Sequence, residues 1–373
     1  MGDVPAGFVR PALAGLIPYE PGKPVEEVQR ELGLERVVKL ASNEGPLGPF
    51  PQAVAAMERV TGELNRYPDG GAYRLRSALA DRHGVRFEEI AVGSGADGLI
   101  DGISQAVLDP GDEIVCGWPS FPSYLIYAAK LGAGATRVPL HEHRYDLDAL
   151  VAAVTPRTKL VYVCHPNNPT GTMNARAELD TYFERVPPHV LTVLDQAYFE
   201  YIDDPDYADG VEEYFKAGRR VIVLRTFSKI YGLAGVRVGY GVGDAELVAA
   251  MSKTRRAFDL TTPAQEAALA SLDDAAELTR RRELNSRGRD ELERILRDAG
   301  YAVVAPAVGN FLYVELDEDA QVVFDALLRQ GVIVRPLAGF GAERAIRITV
   351  GTPDEHAFLA EALARAGATA AAS

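Results

Sequence analysis

Cysteine is scarce in this sequence: Cys116 and Cys164 are the only two in 373 residues. Two thiols are too few for a disulfide framework or a zinc site. Each lies in or just after an apolar, strand-like run, so both read as buried fillers. Long apolar runs are missing too. The stretch around residues 221–224 is far too short to cross a bilayer. Nor is there an excess of positive charge, with Lys and Arg totalling 39 against 53 Asp and Glu, a net charge of −14. That balance disfavours nucleic acid, which demands clustered cations. It also means that an anionic ligand is held by a few local arginines and not by a general field. The N-terminus lacks a basic segment followed by an apolar run, so no secretory signal is expected and a cytoplasmic location follows.

What is present is ordinary for a globular chain: 47% apolar and 25% charged residues. The length exceeds that at which one hydrophobic core stops growing, so two packed domains are expected. The middle of the chain alternates short apolar runs with helical periodicity, the pattern of parallel β/α units. Strands are expected at 90–92, 113–116, 160–164, 191–194, 221–224 and 238–240, with amphipathic helices at 97–107 and 175–185. Several of these strands end in Gly, Asn, Asp or Ser, where the loops of an open α/β sheet carry ligands.

After about Pro263 the texture changes. A long charged helix over 264–299, with a break, precedes strands near 301–304, 311–314, 332–334 and 345–350 and a last helix over 353–366. This predicts a smaller α+β domain. The first 40 or so residues, with Pro18, Pro21 and Pro24, read as an extended arm that joins it. The expected division is a large domain over 45–260 and a small one built from 1–44 and 261–373. No internal repeat is found.

Residues 224–240 read Leu-Arg-Thr-Phe-Ser-Lys-Ile-Tyr-Gly-Leu-Ala-Gly-Val-Arg-Val-Gly-Tyr. A lysine ammonium is strongly hydrated and normally stays at the surface. Lys229 instead lies between apolar runs, a setting that lowers its pKa and makes the free amine nucleophilic. The segment resembles the Schiff-base segment of fold type I pyridoxal-phosphate enzymes, most closely the histidinol-phosphate aminotransferase group. Other matches follow in order along nearly the whole chain. They are Pro18-Tyr19 with Pro21-Gly22-Lys23-Pro24, Lys-Leu-Ala-Ser-Asn-Glu at 39–44 and Asn-Arg-Tyr-Pro-Asp-Gly at 65–70. Pro-Asn-Asn-Pro-Thr-Gly at 166–171, Asp-Gln-Ala-Tyr at 195–198 and Arg-Ile-Thr-Val-Gly at 347–351 complete the set.

The resemblance implies a large domain with a mostly parallel seven-stranded sheet, a smaller α+β domain, and pyridoxal 5′-phosphate as cofactor. It makes Lys229 the Schiff-base residue and proton shuttle. Asp195 becomes the partner of the pyridine nitrogen, and Tyr198 and Asn168 those of the phenolic oxygen. The phosphate cradle falls to Gly95, Ala96 and Asp97, with Thr226, Ser228 and Arg237. A strand-to-helix turn suits that task, because backbone N–H groups and the helix dipole meet the anion there. Phe121 would stack on the ring, while Trp118 and Tyr124 read as packing residues. Tyr67 would reach the phosphate of a neighbouring subunit, which makes the enzyme a homodimer with shared active sites. Arg335 and Arg347 would bind the substrate's anionic end, with Tyr19 and Asn43 nearby.

The implied reaction is a ping-pong transfer from L-histidinol phosphate to 2-oxoglutarate, giving imidazole acetol phosphate and L-glutamate in histidine biosynthesis. Two arginines suit a phosphate dianion. An aromatic amino acid (phenylalanine) aminotransferase and a decarboxylase of a phosphorylated amino acid are the alternatives. A cofactor-binding regulator would need a DNA-binding module, and no basic segment provides one. Gly45, His165, Gln196 and Gly98 depart from the family pattern, and none of them removes a catalytic group.

Overall fold

A computed structural model of the protein describes residues 7, 9–16, 18 and 22–370. Near the N-terminus lie α1 (Val25–Leu32) and the short strand β1 (Val38–Lys39). The expected extended arm gives way to a helix here. Glu26 and Glu27 occupy the first turn of α1, where carboxylates complement the helix dipole, and Gly33 at φ 65° closes it.

The chain continues through α2 (Pro51–Val60), α3 (Tyr73–His83), β2 (Ile90–Gly93), α4 (Gly95–Val107), β3 (Glu113–Trp118) and α5 (Ser123–Leu131). Next come β4 (Gly134–Pro139), α6 (Leu147–Ala152), β5 (Thr158–Cys164), α7 (Arg176–Arg185), β6 (Leu191–Asp195), β7 (Val221–Thr226) and β8 (Gly239–Val242). These strands form one seven-stranded sheet in the order β2-β8-β7-β6-β5-β3-β4. All run parallel except β8, which is antiparallel to both neighbours. Residues 227–238, between β7 and β8, hold only a short 3-10 turn, so the strand returns antiparallel without a crossover helix. Strands β6 and β7 are buried at every position, as expected for central strands covered on both faces. Strand β4 escaped the sequence reading because Gly-Ala-Thr-Arg-Val-Pro has no apolar run. It lies at the sheet edge with only Val138 buried.

Three helices follow: α8 (Ala245–Thr254), α9 (Thr262–Leu272) and α10 (Ala275–Asp298). The break expected in the long charged helix lies between α9 and α10, where the Asp274 side chain caps the Glu277 N–H. Leu260, Ala264, Ala267, Ala268 and Leu272 belong to the same core as the large sheet. That core therefore runs past the expected boundary at 260, because the small residues of α9 let it pack closely on α2.

The remainder comprises β9 (Ala302–Val303), β10 (Phe311–Glu315), α11 (Ala320–Arg329), β11 (Val332–Ile333), β12 (Arg335–Leu337), β13 (Ala342–Thr349) and α12 (Pro353–Ala370). A four-stranded antiparallel sheet runs β12-β13-β10-β9, and β1 pairs parallel with β11. A second core joins Val28, Val38 and Leu40 to Leu292, Leu312, Ile346 and Leu359, so it draws on both ends of the chain. No described helix is long and apolar enough to cross a membrane.

Candidate active site

The ends of β5, β6 and β7 open into a cavity of about 310 Å³ that also receives β13 and the segment after β1. Another cavity, of about 470 Å³, is lined by Leu47, Ile230 and Val350 together with Arg281, Arg287 and Glu291, but it holds no lysine.

One end of the first cavity is built for an anion. Gly95 begins α4 at φ 75°, and a Cβ there would come 2.7 Å from Arg237 Nη2. At Gly239 a Cβ would meet the Gly95 carbonyl carbon at 2.8 Å. These two glycines let β8, the start of α4 and the Arg237 guanidinium crowd together. Arg237 itself adopts a left-handed φ of 62°, uncommon for a bulky residue. Its Nη1 donates to the Ala234 carbonyl at 2.8 Å and to Ser228 Oγ at 3.4 Å. The Ser228 N–H in turn donates to Thr226 Oγ1 at 3.1 Å. The Asp97 carboxylate accepts from Ser123 Oγ at 2.5 Å and Tyr127 Oη at 2.6 Å. That engagement leaves the backbone N–H groups of Gly95, Ala96 and Asp97, in the first turn of α4, to face an anion.

The opposite end is acidic. Asp195, the last residue of β6, is buried; its Oδ2 accepts from Tyr124 Oη at 2.7 Å and its Oδ1 from the Ala197 N–H at 3.1 Å. Burial raises its pKa, and the Tyr124 hydrogen bond opposes the rise. Tyr124 stacks on Tyr162 with centroids 4.3 Å apart, as a packing residue would, yet its hydroxyl also orients this carboxylate. The sequence carried no sign of that second role, which arises only when α5 is laid beside β6. Phe121 lines the cavity wall and meets Tyr124 edge-on at 5.7 Å.

Between the two ends lies Lys229. Its Nζ donates to the Asn43 carbonyl at 3.3 Å and lies 5.4 Å from the Tyr198 ring centroid. Burial, reinforced by the nearby Arg347 cation, lowers its pKa to about 8. Asn43 adopts a left-handed φ of 52°, and its Nδ2 donates to Tyr198 Oη at 2.8 Å. Burial also pushes the Tyr198 phenol well up, so it stays protonated.

The fourth wall is cationic. Arg335 and Arg347 stand directly opposite each other across β12 and β13. Both guanidinium carbons approach the Phe340 ring, at 5.5 and 5.4 Å from its centroid. Arg347 is buried; it donates to Asn168 Oδ1 and, at 2.8 Å, to the Ala41 carbonyl. Arg347 and Asn168 line the cavity.

Two anticipated residues stand apart. Tyr19 lies outside the described residues. Tyr67 is 81% exposed, stacks on Phe258 at 4.5 Å and does not line the cavity of its own chain. All four departures from the family pattern, Gly45, Gly98, His165 and Gln196, lie off the cavity lining. His165 stacks flat on Tyr207 at 4.4 Å, and Gln196 donates to the Ala208 carbonyl and accepts from the Gly210 N–H.

Comparison with known proteins agrees with this geometry. The profile of the family described as aminotransferase class I and II matches residues 35–363. The histidinol-phosphate aminotransferase of Moorella thermoacetica is 46% identical over 92% of this chain and 89% of its own. That of Akkermansia muciniphila is 44% identical over 95% of this chain and 98% of its own. The crystal structure of the Sinorhizobium meliloti histidinol-phosphate aminotransferase, in complex with pyridoxal-5′-phosphate, superposes with a TM-score of 0.89. It shares 30% identity and covers 97% of this chain and 98% of its own. Matched over most of its length in both sequence and architecture, the chain belongs to the class I and II aminotransferase family.

Proposed function

We propose that this chain is a pyridoxal-phosphate-dependent aminotransferase that takes the amino group from L-histidinol phosphate and passes it to 2-oxoglutarate. The observation that carries the reading is a half-buried lysine held between a carboxylate and an anion cradle, with Arg347 on the cavity wall and Arg335 opposite it on β12. Pyridoxal phosphate fits that donor set. Its phosphate suits the Gly95–Arg237 cradle, which any Cβ at Gly95 would fill, and its ring nitrogen suits Asp195. Bound there, the cofactor supplies an electron sink for the charge that develops at the substrate's Cα.

The protein's own groups do the rest. With its pKa lowered to about 8, Lys229 Nζ is partly unprotonated near neutral pH and moves the proton at the substrate's Cα. Asp195, oriented by Tyr124 and the Ala197 N–H, would hold a proton on the ring nitrogen. Tyr198 and Asn168 would hold the phenolic oxygen, and Phe121, on the cavity wall, would pack on the ring. Arg347 and Arg335 receive the substrate's phosphate, and in the second half of the cycle a carboxylate of 2-oxoglutarate. The exposed Tyr67 serves the phosphate site of a second subunit, which makes the working form a homodimer in the cytoplasm. The names of the relatives and the paired arginines support the phosphorylated substrate.

The test is a half-reaction on cofactor-loaded protein without keto acid, followed by loss of the Schiff-base absorbance. L-Histidinol phosphate is expected to react with a far larger rate over concentration than L-phenylalanine. The reverse preference would move the enzyme to the aromatic aminotransferases. Multiple turnovers by Lys229→Ala would remove the lysine from the mechanism altogether.

A further inference from the structure

Asn43 is 1% exposed and every polar atom it has is engaged. Its N–H donates to Thr349 Oγ1 at 3.0 Å, and Thr349 Oγ1 donates back to Asn43 Oδ1 at 3.2 Å. Its carbonyl accepts from Lys229 Nζ and also from Asn310 Nδ2 at 3.2 Å. Its Nδ2 donates to Tyr198 Oη. Thr349 and Asn310 are themselves buried, at 3% and 0% exposure. Further backbone bonds tie the partners down. The Thr349 N–H donates to the Leu40 carbonyl, and the Val350 N–H to the Asn310 carbonyl, both at 2.9 Å.

The single proton of the Thr349 hydroxyl decides which way the Asn43 amide faces. That hydroxyl already accepts the Asn43 N–H, so its proton needs an acceptor, and Asn43 Oδ1 is that acceptor. With the amide turned over, Thr349 would face two donors, and Asn43 Oδ1 would take the Tyr198 proton. In the observed orientation Tyr198 Oη accepts from Asn43 and keeps its own proton for the cavity. Arg347 and Thr349 are two residues apart on β13 and so project from the same face. One strand face therefore carries both the anion-binding guanidinium and the group that sets the Tyr198 proton.

We propose that Thr349 and Asn310 are positioning residues for amino transfer. They lock Asn43 so that its amide NH₂ faces Tyr198 and its carbonyl faces Lys229, joining β13 to the amine and the phenol as one unit. This rests on the assignment of Lys229 and Tyr198 above.

The measurement is a pH titration of the Schiff-base absorbance on cofactor-loaded wild type, Thr349→Val, Thr349→Ser and Tyr198→Phe. With the Tyr198 proton turned from the cavity to Asn43 Oδ1, more negative charge is left beside the imine, so Thr349→Val is expected to raise the midpoint by about half a unit or more. Thr349→Ser keeps a hydroxyl and is expected to match wild type. In the Tyr198→Phe background Thr349→Val is expected to add nothing, because the two act through one proton. An unchanged midpoint in Thr349→Val, an equal shift in Thr349→Ser, or full additivity with Tyr198→Phe would each overturn the proposal. Should Thr349→Val fail to bind cofactor, Asn310→Ala provides the second arm. It is expected to slow the half-reaction roughly threefold or more with cofactor still bound, and an unchanged rate would overturn the proposal. If wild type itself forms no Schiff-base absorbance, the functional assignment falls first, an outcome distinct from all of these.

Discussion

The amine of Lys229 and the carboxyl of Glu200 are two groups in which desolvation moves the proton balance in opposite directions. Lys229 falls from 10.5 to about 8. The cofactor-free protein is therefore expected to capture pyridoxal phosphate with a rate that rises with pH through a midpoint near 8. Stopped-flow absorbance would read it, and a midpoint near 10.5 would show a solvated lysine. Glu200 is 5% exposed, with Oε2 lacking a hydrogen-bond partner, and burial lifts its pKa to about 7 against the opposing pull of Arg225. Between the ordinary 4.5 and 7 the folded state binds more protons than the unfolded one, so this group's contribution to stability falls as pH rises through that window. Glu200→Gln should then match wild type near pH 4.5 and exceed it by about 1–3 kcal/mol at pH 8. Chemical denaturation at the two pH values would measure the difference, and a gain that does not grow with pH would contradict the sign.

Among the elements, α4 shows how little tolerance the anion cradle has. An Ala at Gly95 would combine an unfavourable φ with a 2.7 Å approach to Arg237. Gly95→Ala is expected to weaken pyridoxal phosphate binding by roughly tenfold or more, about 1.4 kcal/mol. Fluorescence titration would read it, and unchanged affinity would mean that the cradle does not hold the phosphate. The sequence made α4, the central strands and the Schiff-base segment legible because each is a local pattern: an apolar run, a turn, a glycine. It did not make legible what only contact creates. Strand β4 has no apolar run to announce it, and α9 joins the first core through alanines that look alike on any helix. Tyr124, Thr349 and Asn310 are ordinary packing residues by type. Their polar partners, Asp195 and Asn43, lie 71, 306 and 267 positions away in the chain.

For the whole molecule, the exposed Tyr67–Phe258 stack lies off its own cavity. If Tyr67 completes a second subunit's site, mixing Tyr67→Ala with Lys229→Ala protein after dissociation should restore one intact site per hybrid dimer. Random pairing would return about a quarter of wild-type activity. No recovery, despite exchange of subunits shown by native mass spectrometry, would leave Tyr67 without a role across the interface. The hydrogen bonds around Asn43 also bear on synthesis. They join the N-terminal segment to Lys229, 186 positions on, and to Thr349, 306 positions on. The large-sheet core needs little beyond Leu272, whereas the cavity lacks its cationic wall until β13 has left the ribosome. A chain truncated before that strand can thus be well packed around its sheet and still lack a finished pocket. Such a protein keeps the lysine, the carboxylate and the anion cradle, so capture of the anionic substrate, and not cofactor colour, would report that β13 has met the segment after β1.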